Sequence, residues 1–159
     1  MMGEAASFIF AVMTVLNHSM TVLGLDKNNI TDKQQIYCGA QNAYFESQGE
    51  PDLGMVAVSQ VVINRVESSR WPSTVCKVVW QNKQFSWTHD GKSDKIPLSS
   101  TYQRRLWIKS VYMFLIAYGD DITNGATHYH SVKVKPWWAA DMQVTAHIGN
   151  HIFLKERNK

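Results

Sequence analysis

The sequence has few charges, few cysteines and no concentrated basic segment. Only 18% of its 159 residues are charged, whereas 45% are hydrophobic, and the formal net charge is +3. This composition excludes a disordered chain and indicates a single globular domain with a real core. The densest basic pair is Arg104-Arg105, so no nucleic-acid groove is indicated. The mild positive charge is compatible with an anionic partner but does not select one.

Several catalytic and metal motifs are also absent. The two cysteines, Cys38 and Cys76, do not form a C-x-x-C pair, which excludes a zinc ribbon. An even count permits one disulfide, and two buried thiols remain the alternative. No G-x-S-x-G elbow is present, so that kind of serine hydrolase is excluded. Cys38 falls on an apolar helix face, where we expect a structural cysteine and not a nucleophile.

The N-terminal segment, residues 5–25, contains no Asp, Glu, Lys or Arg and is long enough to cross a bilayer. It lacks the basic flank and the cleavage site of a secretory signal, since Glu4 is the only charge before it. Three interpretations stay open: a helix docked on the domain, a weak membrane anchor, and an atypical export signal. We therefore divide the chain into an N-terminal segment with its linker, residues 1–29, and a main domain, residues 30–159.

The main domain is expected to be mostly helical. Thr31 followed by Gln34 has the capping-box pattern at the start of the first helix. The second helix is apolar on nearly every side, which indicates a buried central helix, with a strand as the alternative because of its valines. Helical spacing and caps predict four helices, over residues 31–47, 54–66, 74–80 and 100–118.

The last forty residues have a different pattern. Residues 125–130 alternate as a strand does, which places His128 and His130 on one face and Tyr129 on the other. Residues 147–154 are predicted to form a second short strand, antiparallel to the first. The expected fold class is therefore α+β, predominantly helical, with a small antiparallel β hairpin near the C-terminus.

The segment YFESQGEP, residues 44–51, carries two carboxylates four residues apart. Glu46 falls in the last turn of the first helix, where the helix dipole disfavours negative charge. Packing against Tyr44 and Phe45 should raise its pKa, as a proton donor near neutral pH requires. The ordinary alternative is a surface glutamate at a helix end. Gly49 is placed to end the helix in a left-handed conformation.

Four histidines near the C-terminus suggest a metal as a second hypothesis. His128 and His130 on one strand, with His147 and His151 on its neighbour, are a set of potential zinc ligands. However, no H-E-x-x-H motif is present and no acidic ligand stands at a telling spacing. Histidines beside tyrosine and tryptophan more often donate hydrogen bonds to a ligand or to the backbone. We therefore predict no metal and no cofactor.

Five motifs follow one another along the main domain: YFESQGEP, VAVSQVVINRV (56–66), WPSTVCKVVWQ (71–81), QFSWTHDGK (84–92) and GATHYH (125–130). In this order and spacing they resemble the SleB-type cell wall hydrolases, a family that includes the spore-cortex-lytic enzymes and relatives in phages and Gram-negative bacteria. The resemblance covers about residues 36–153. It implies a lysozyme-like domain that cuts the glycan strands of peptidoglycan, as an endolysin or a wall-remodelling enzyme.

The resemblance also implies residue roles. Glu46 matches the first glutamate of the family's Y-x-E-A-R-G-E motif, which is the catalytic acid. This chain has Ser47-Gln48 where relatives have Ala-Arg. Because the arginine is missing, Glu50 is expected to be held by different contacts from those in the relatives. Glutamate followed by serine is the pairing of many other lytic transglycosylases. Cys38 and Cys76 fall where exported relatives often have cysteines, which implies a disulfide.

On this basis we expect a lytic transglycosylase with a single glutamate. Glu46 would act first as acid and then as base, while the substrate's own acetamido group or 6-hydroxyl attacks the anomeric carbon. Glu50 and Asn64 are expected to support the site. The residues expected to bind the sugars are Gln84, Phe85, Ser86, Trp87, His128, Tyr129 and His130.

Two other functions stay open. One is a metal-dependent peptidoglycan amidase or peptidase that uses the C-terminal histidines, and the other is a non-catalytic wall-binding virion component. The expected partner is the peptidoglycan glycan strand, with a monomeric protein and no nucleic acid. The substrate implies the cell envelope, the periplasm or the extracellular space. Residues 5–25 would then act as a signal, a weak anchor or a virion contact.

Overall fold

The computed structural model of the chain describes residues 32–157 in full, the backbone of residues 30–31, and the isolated positions 14, 17, 18 and 21. The interpretations of residues 5–25 and the boundary at residue 29 therefore lie outside the described residues, apart from those four positions. Within the described residues, no helix has the length and apolarity needed to cross a membrane.

The predicted helices are confirmed, with shifts of a few residues at their ends. The backbone of Thr31 lies inside the first helix, one residue after its first residue, Ile30. The second helix is a helix over its whole length, so the strand alternative is wrong. The α-helices are α1 (Ile30–Glu46), α2 (Asp52–Glu67), α3 (Val75–Val79) and α4 (Thr101–Ile116).

Two of the helix starts have the caps that the sequence predicts. The Thr74 side chain accepts a hydrogen bond from the Lys77 backbone N–H at the start of α3. At the start of α4, Ser100 and Gln103 form a reciprocal capping box. These bonds satisfy backbone N–H groups that have no partner inside the helix, which fixes where each helix begins.

Helix α2 forms the centre of the domain. Its residues Val58, Val61 and Val62 are fully buried, as expected for a helix that is apolar all round. Helices α1, α3 and α4 pack around it. Helices α1 and α4 come very close at Gly39, where a Cβ atom would collide with the ring of Phe114. The close approach therefore depends on the missing side chain of Gly39.

The C-terminal part forms a three-stranded antiparallel sheet in the order β1-β3-β2. The strands are β1 (His128–Ser131), β2 (Met142–Ile148) and β3 (His151–Glu156). The predicted single strand over residues 147–154 is wrong, because the chain reverses at Gly149 and Asn150. Gly149 has a φ of 59°, which favours glycine, and a Gly-Asn pair between two strands is a hairpin signal.

The sheet packs on the helices through one face. Phe153 in the middle strand is fully buried and belongs to the same apolar cluster as Val58 and Val61 of α2. Buried Gln60 of α2 strengthens this contact, since its amide donates to the carbonyl of Asp120 (2.7 Å) and accepts from the N–H of Ile122 (3.0 Å). The loop that leads into β1 is therefore bonded directly to the central helix.

A disulfide joins Cys38 of α1 to Cys76 of α3, with their Cα atoms 5.2 Å apart. It closes a segment with a sequence separation of 38 residues that contains the whole of α2. Such a cross-link stabilises a protein chiefly by restricting the unfolded chain.

Replacing both cysteines with serine should lower the free energy of unfolding by about 2–4 kcal/mol, because the unfolded chain regains the entropy of an open loop. Urea denaturation of the oxidised protein and of Cys38→Ser/Cys76→Ser measures this difference. Reductant should lower the denaturation midpoint of the unsubstituted protein and leave that of the double variant unchanged. Equal midpoints for the oxidised and reduced protein would contradict a structural role.

Candidate active site

The site is centred on Glu46, the last residue of α1. Helix α1 ends here because the chain turns: the Glu50 N–H donates to the Ser47 carbonyl (3.0 Å), and Gly49 adopts a φ of 83°. The Tyr129 hydroxyl donates a 2.8 Å hydrogen bond to Oε2 of Glu46. This bond joins the end of α1 to the first strand of the sheet.

Glu46 lies in a cavity of about 430 Å³ between the helices and the sheet. The cavity brings together the predicted catalytic residue and most of the residues predicted to bind sugar, and it adds three residues that were not predicted. The residues from the prediction are Glu46, Gln84, Phe85, Ser86, His128 and Tyr129, and the additional ones are Arg65, Lys83 and Trp138.

The Glu46 carboxyl has a raised pKa. Burial has the largest effect, because removing the carboxylate from water disfavours the charged form. The Tyr129 hydrogen bond and the charge of Arg65 act in the opposite direction and lower the pKa. None of the ion pairs in the described part of the chain involves Glu46. A buried carboxyl with a raised pKa suits the role of a proton donor.

Arg65 is a site residue that the sequence analysis missed. Its side chain is 4% exposed, and its Nε donates to the Thr127 carbonyl (2.7 Å). The guanidinium lies 4.1 Å from the ring centroid of Trp71. Burial lowers the pKa of Arg65 to about 10, so it remains charged at neutral pH. An arginine within an otherwise apolar helix was the available signal, since buried cations are rare unless they are paired.

Tyr129 remains a protonated donor throughout the physiological range. Burial and the adjacent Glu46 both raise the pKa of its hydroxyl well above the ordinary value. Its ring meets that of His151 edge-on, with 5.2 Å between the centroids, and lies 5.7 Å from the ring of Phe153. These contacts fix the ring and therefore the position of the hydroxyl against Glu46.

Glu50 does not line the Glu46 cavity. Its side chain is 8% exposed; Oε2 accepts the Asn150 N–H (3.1 Å), and Oε1 lies 3.6 Å from Nδ1 of His151. A Cβ at Gly149 would collide with Oε2. Glu50 is thus held by the turn between β2 and β3.

Asn64 holds the loop before β1. Its Nδ2 lies within hydrogen-bond distance of Oδ2 of Asp121 (3.0 Å), Oγ1 of Thr123 (3.2 Å) and the carbonyl of Ala126 (2.9 Å). Asp121 is itself bonded within the same loop to the Gly125 N–H (2.7 Å). The amide therefore fixes the start of the strand that carries Tyr129.

Trp87, which is predicted to bind sugar, does not line the cavity. It is 6% exposed, stacks on Phe45 with 4.8 Å between the ring centroids, and donates from Nε1 to Oδ1 of Asn42 (2.9 Å). The indole therefore supports the last turn of α1 from the core. His130 is also absent from the cavity wall, and its ring lies 5.8 Å from that of Trp138 at the periphery.

The four C-terminal histidines do not converge. His130 in β1 and His147 in β2 are both paired with Ile152 of the middle strand β3, so they lie on one face of the sheet. His151 is adjacent to Ile152 in β3 and therefore points to the opposite face, as Tyr129 does. The described residues contain no group of three or more His, Cys, Asp or Glu side chains arranged to hold a metal ion.

Burial and the charge of Arg65 lower the pKa of His128 to about 4, so this ring is neutral at physiological pH.

The family described as Cell Wall Hydrolase matches residues 49–154, and the chain therefore belongs to this family. The sequence-based resemblance is thus confirmed. Glu46 lies three residues before the start of the match.

The chain is similar to spore cortex-lytic enzymes. That of Bacillus cereus is 30% identical over 132 residues, which are 83% of this chain and 48% of the relative. That of Halalkalibacterium halodurans is 31% identical over 115 residues, 72% of this chain and 32% of the relative. The chain thus spans about half the length, or less, of the curated relatives that it matches.

Two solved structures share the fold. The catalytic domain of the Bacillus cereus SleB protein has a TM-score of 0.65 and 32% identity, covering 80% of this chain and 94% of that one. The catalytic domain of the germination-specific lytic transglycosylase SleB from Bacillus anthracis has a TM-score of 0.64 and 32% identity, covering 76% and 93%. The predicted class, a mostly helical domain with a small antiparallel sheet, is confirmed.

Glu46→Gln should leave the fold intact. The melting temperature of this variant should rise relative to that of the unsubstituted protein as the pH increases. The folded-state pKa of Glu46 is raised, so the unsubstituted protein loses stability as the pH rises from the unfolded pKa through the folded one, whereas glutamine does not titrate. Thermal unfolding from acidic to mildly alkaline pH measures the difference. If the melting temperature of the variant instead fell relative to that of the unsubstituted protein as the pH rises, a buried carboxyl with a raised pKa would be contradicted.

Proposed function

We propose that this protein is a peptidoglycan-degrading glycosidase, a lytic transglycosylase that uses Glu46 as its single acid and base. The observation that supports this most directly is the Glu46 carboxyl itself, which has a raised pKa and a fixed orientation inside a cavity of about 430 Å³. Membership of the cell wall hydrolase family and the likeness to a lytic transglycosylase domain support the same chemistry.

In the first step, protonated Glu46 donates its proton to the oxygen that bridges two amino sugars. Tyr129 donates to Oε2, which leaves Oε1 to carry the proton towards the cavity. After the transfer, the new carboxylate is stabilised by the Tyr129 hydroxyl and the positive charge of Arg65, the two groups that lower its pKa. The same surroundings thus serve both protonation states.

The second step needs a nucleophile, and no second carboxylate lines the cavity in the described part of the chain. Conventional glycosidases place two carboxyls about 5–9.5 Å apart across the scissile bond. Glu50 is bonded to the turn between β2 and β3 and faces another cavity. We therefore infer that the muramic acid 6-hydroxyl attacks its own anomeric carbon while the Glu46 carboxylate accepts the hydroxyl proton. This gives a 1,6-anhydro end and consumes no water.

The other cavity residues suit amino-sugar binding. Gln84 and Ser86 are exposed polar side chains placed to bond acetamido and hydroxyl groups, and neutral His128 can donate or accept. Phe85 and Trp138 supply apolar walls for the sugar rings. His130 would act only at the outer edge, through its contact with Trp138.

The proposal also implies a role for each of the two parts of the chain and a place where the protein acts. Residues 30–159 would be the catalytic domain, acting as a monomer on glycan strands in the cell envelope, the periplasm or outside the cell, with no role for nucleic acid. Residues 1–29 would provide a route to the wall as an export signal, a weak anchor or a virion contact. A non-catalytic wall-binding role is the competing function, and the experiment below separates the two.

Glu46→Gln should reduce the rate of glycan cleavage by about 10²–10⁴-fold, the usual contribution of a general acid. Mass spectrometry of digested sacculi measures both rate and product: anhydro-muramyl ends mean transglycosylation, and reducing ends mean hydrolysis by water. Glu67→Gln is the matched control, because Glu67 also ends a helix but lies outside the cavity. Undiminished cleavage by Glu46→Gln would remove Glu46 from the role, and binding without released fragments would favour the non-catalytic function.

Tyr129→Phe should move the alkaline limb of the kcat/KM profile to higher pH. The Tyr129 hydrogen bond favours the Glu46 carboxylate, so its loss raises the Glu46 pKa further, and activity falls only as that carboxyl loses its proton. Phenylalanine keeps the ring contacts with His151 and Phe153. Tyr112→Phe, on α4 away from the cavity, should leave the limb in place. If the alkaline limb of Tyr129→Phe moved to lower pH, a group other than Glu46 would determine the position of that limb.

A further inference from the structure

A second cavity, of about 600 Å³, adjoins the one that contains Glu46. The two share a wall. Trp71 and Thr127 line the second cavity, and each contacts Arg65, which lines the first: the indole lies under the guanidinium, and the Thr127 carbonyl accepts from Nε. The Trp71 ring also lies 5.6 Å from that of His128, another residue of the first cavity.

The second cavity is cationic. Arg70, Lys155 and Arg157 line it together with a single carboxylate, Glu156. Arg70 forms an ion pair with Glu156. Lys155 and Arg157 have no carboxylate partner among the described residues, so two positive charges face the same space. Such a concentration of unpaired charge attracts anionic groups of a ligand bound nearby.

We propose that this cationic cavity binds the carboxylates of the peptide stems that peptidoglycan strands carry, so that the protein selects stem-bearing strands over bare glycan. The inference rests on the proposed glycan substrate. Each muramic acid bears its stem on a lactyl group beside the sugar ring, so a sugar seated against Glu46 would direct its stem past the shared wall. Lysine and arginine suit carboxylates, and arginine can bond them through two parallel N–H groups.

The test compares binding of soluble glycan strands with and without stems, prepared from sacculi free of phosphate-bearing wall polymers. The unsubstituted protein should bind stem-bearing strands about threefold to tenfold more tightly than amidase-stripped strands, as expected for two exposed charge contacts. Lys155→Gln/Arg157→Gln should lose this preference and keep its affinity for stripped strands. Lys77→Gln/Lys95→Gln removes the same charge from exposed sites outside both cavities and should keep the preference.

Two further measurements use the unsubstituted protein and so do not depend on the folding of a variant. Amidation of the stem carboxylates should abolish the preference, and raised ionic strength should weaken it. Lys155→Arg/Arg157→Lys, which keeps both charges, should retain it. An absence of discrimination by the unsubstituted protein, or an equal loss on both strands in the glutamine variant, would overturn the inference.

The failure of this inference is distinguishable from the failure of the proposed function. Binding is measured over times too short for appreciable cleavage, and cleavage is measured in a separate assay, so a cleaving enzyme that ignores stems would overturn only the inference. A Glu46→Gln variant that still cuts glycan would overturn the proposed function and leave the stem preference as measured.

Discussion

The geometry of the candidate site depends on one hydrogen bond, from the Tyr129 hydroxyl to the Glu46 carboxyl. It joins two residues separated by 83 positions, one at the end of a helix and the other in the first strand of the sheet. The bond aims the carboxyl and moderates the pKa that burial raises. Because it is directional, small displacements of the sheet relative to α1 would weaken it.

The surrounding contacts hold the sheet against the helices so that this bond can form. Asn64 and Gln60 of the central helix bond the loop before β1, and Glu50 bonds the turn between β2 and β3. Trp87 supports the last turn of α1 from the core. Polar and apolar contacts thus act on both partners of the bond. The proposed catalysis requires this, because a catalytic group has to be held within small positional tolerances.

A single buried carboxyl beside a buried cation suits chemistry in which one group first gives and then takes a proton. Burial favours the protonated acid, whereas Arg65 and Tyr129 favour the carboxylate that follows. The nearest second glutamate in the sequence, Glu50, is engaged with the hairpin turn. The proposed acid and base thus has no partner carboxylate in its cavity among the residues that the structure describes, which is consistent with a nucleophile supplied by the substrate.

Local patterns in the sequence were sufficient for the helices, because helical spacing and the caps at Thr74 and Ser100 act within a few residues. They also placed Glu46 at a helix end, and Tyr129 on the opposite face of its strand from His128 and His130. Only tertiary contacts decided that Trp87 enters the core, that Arg65 reaches the site under Trp71, and that Glu50 meets Asn150. Those outcomes depend on side chains brought together from distant parts of the chain, and periodicity carries no information about such pairs.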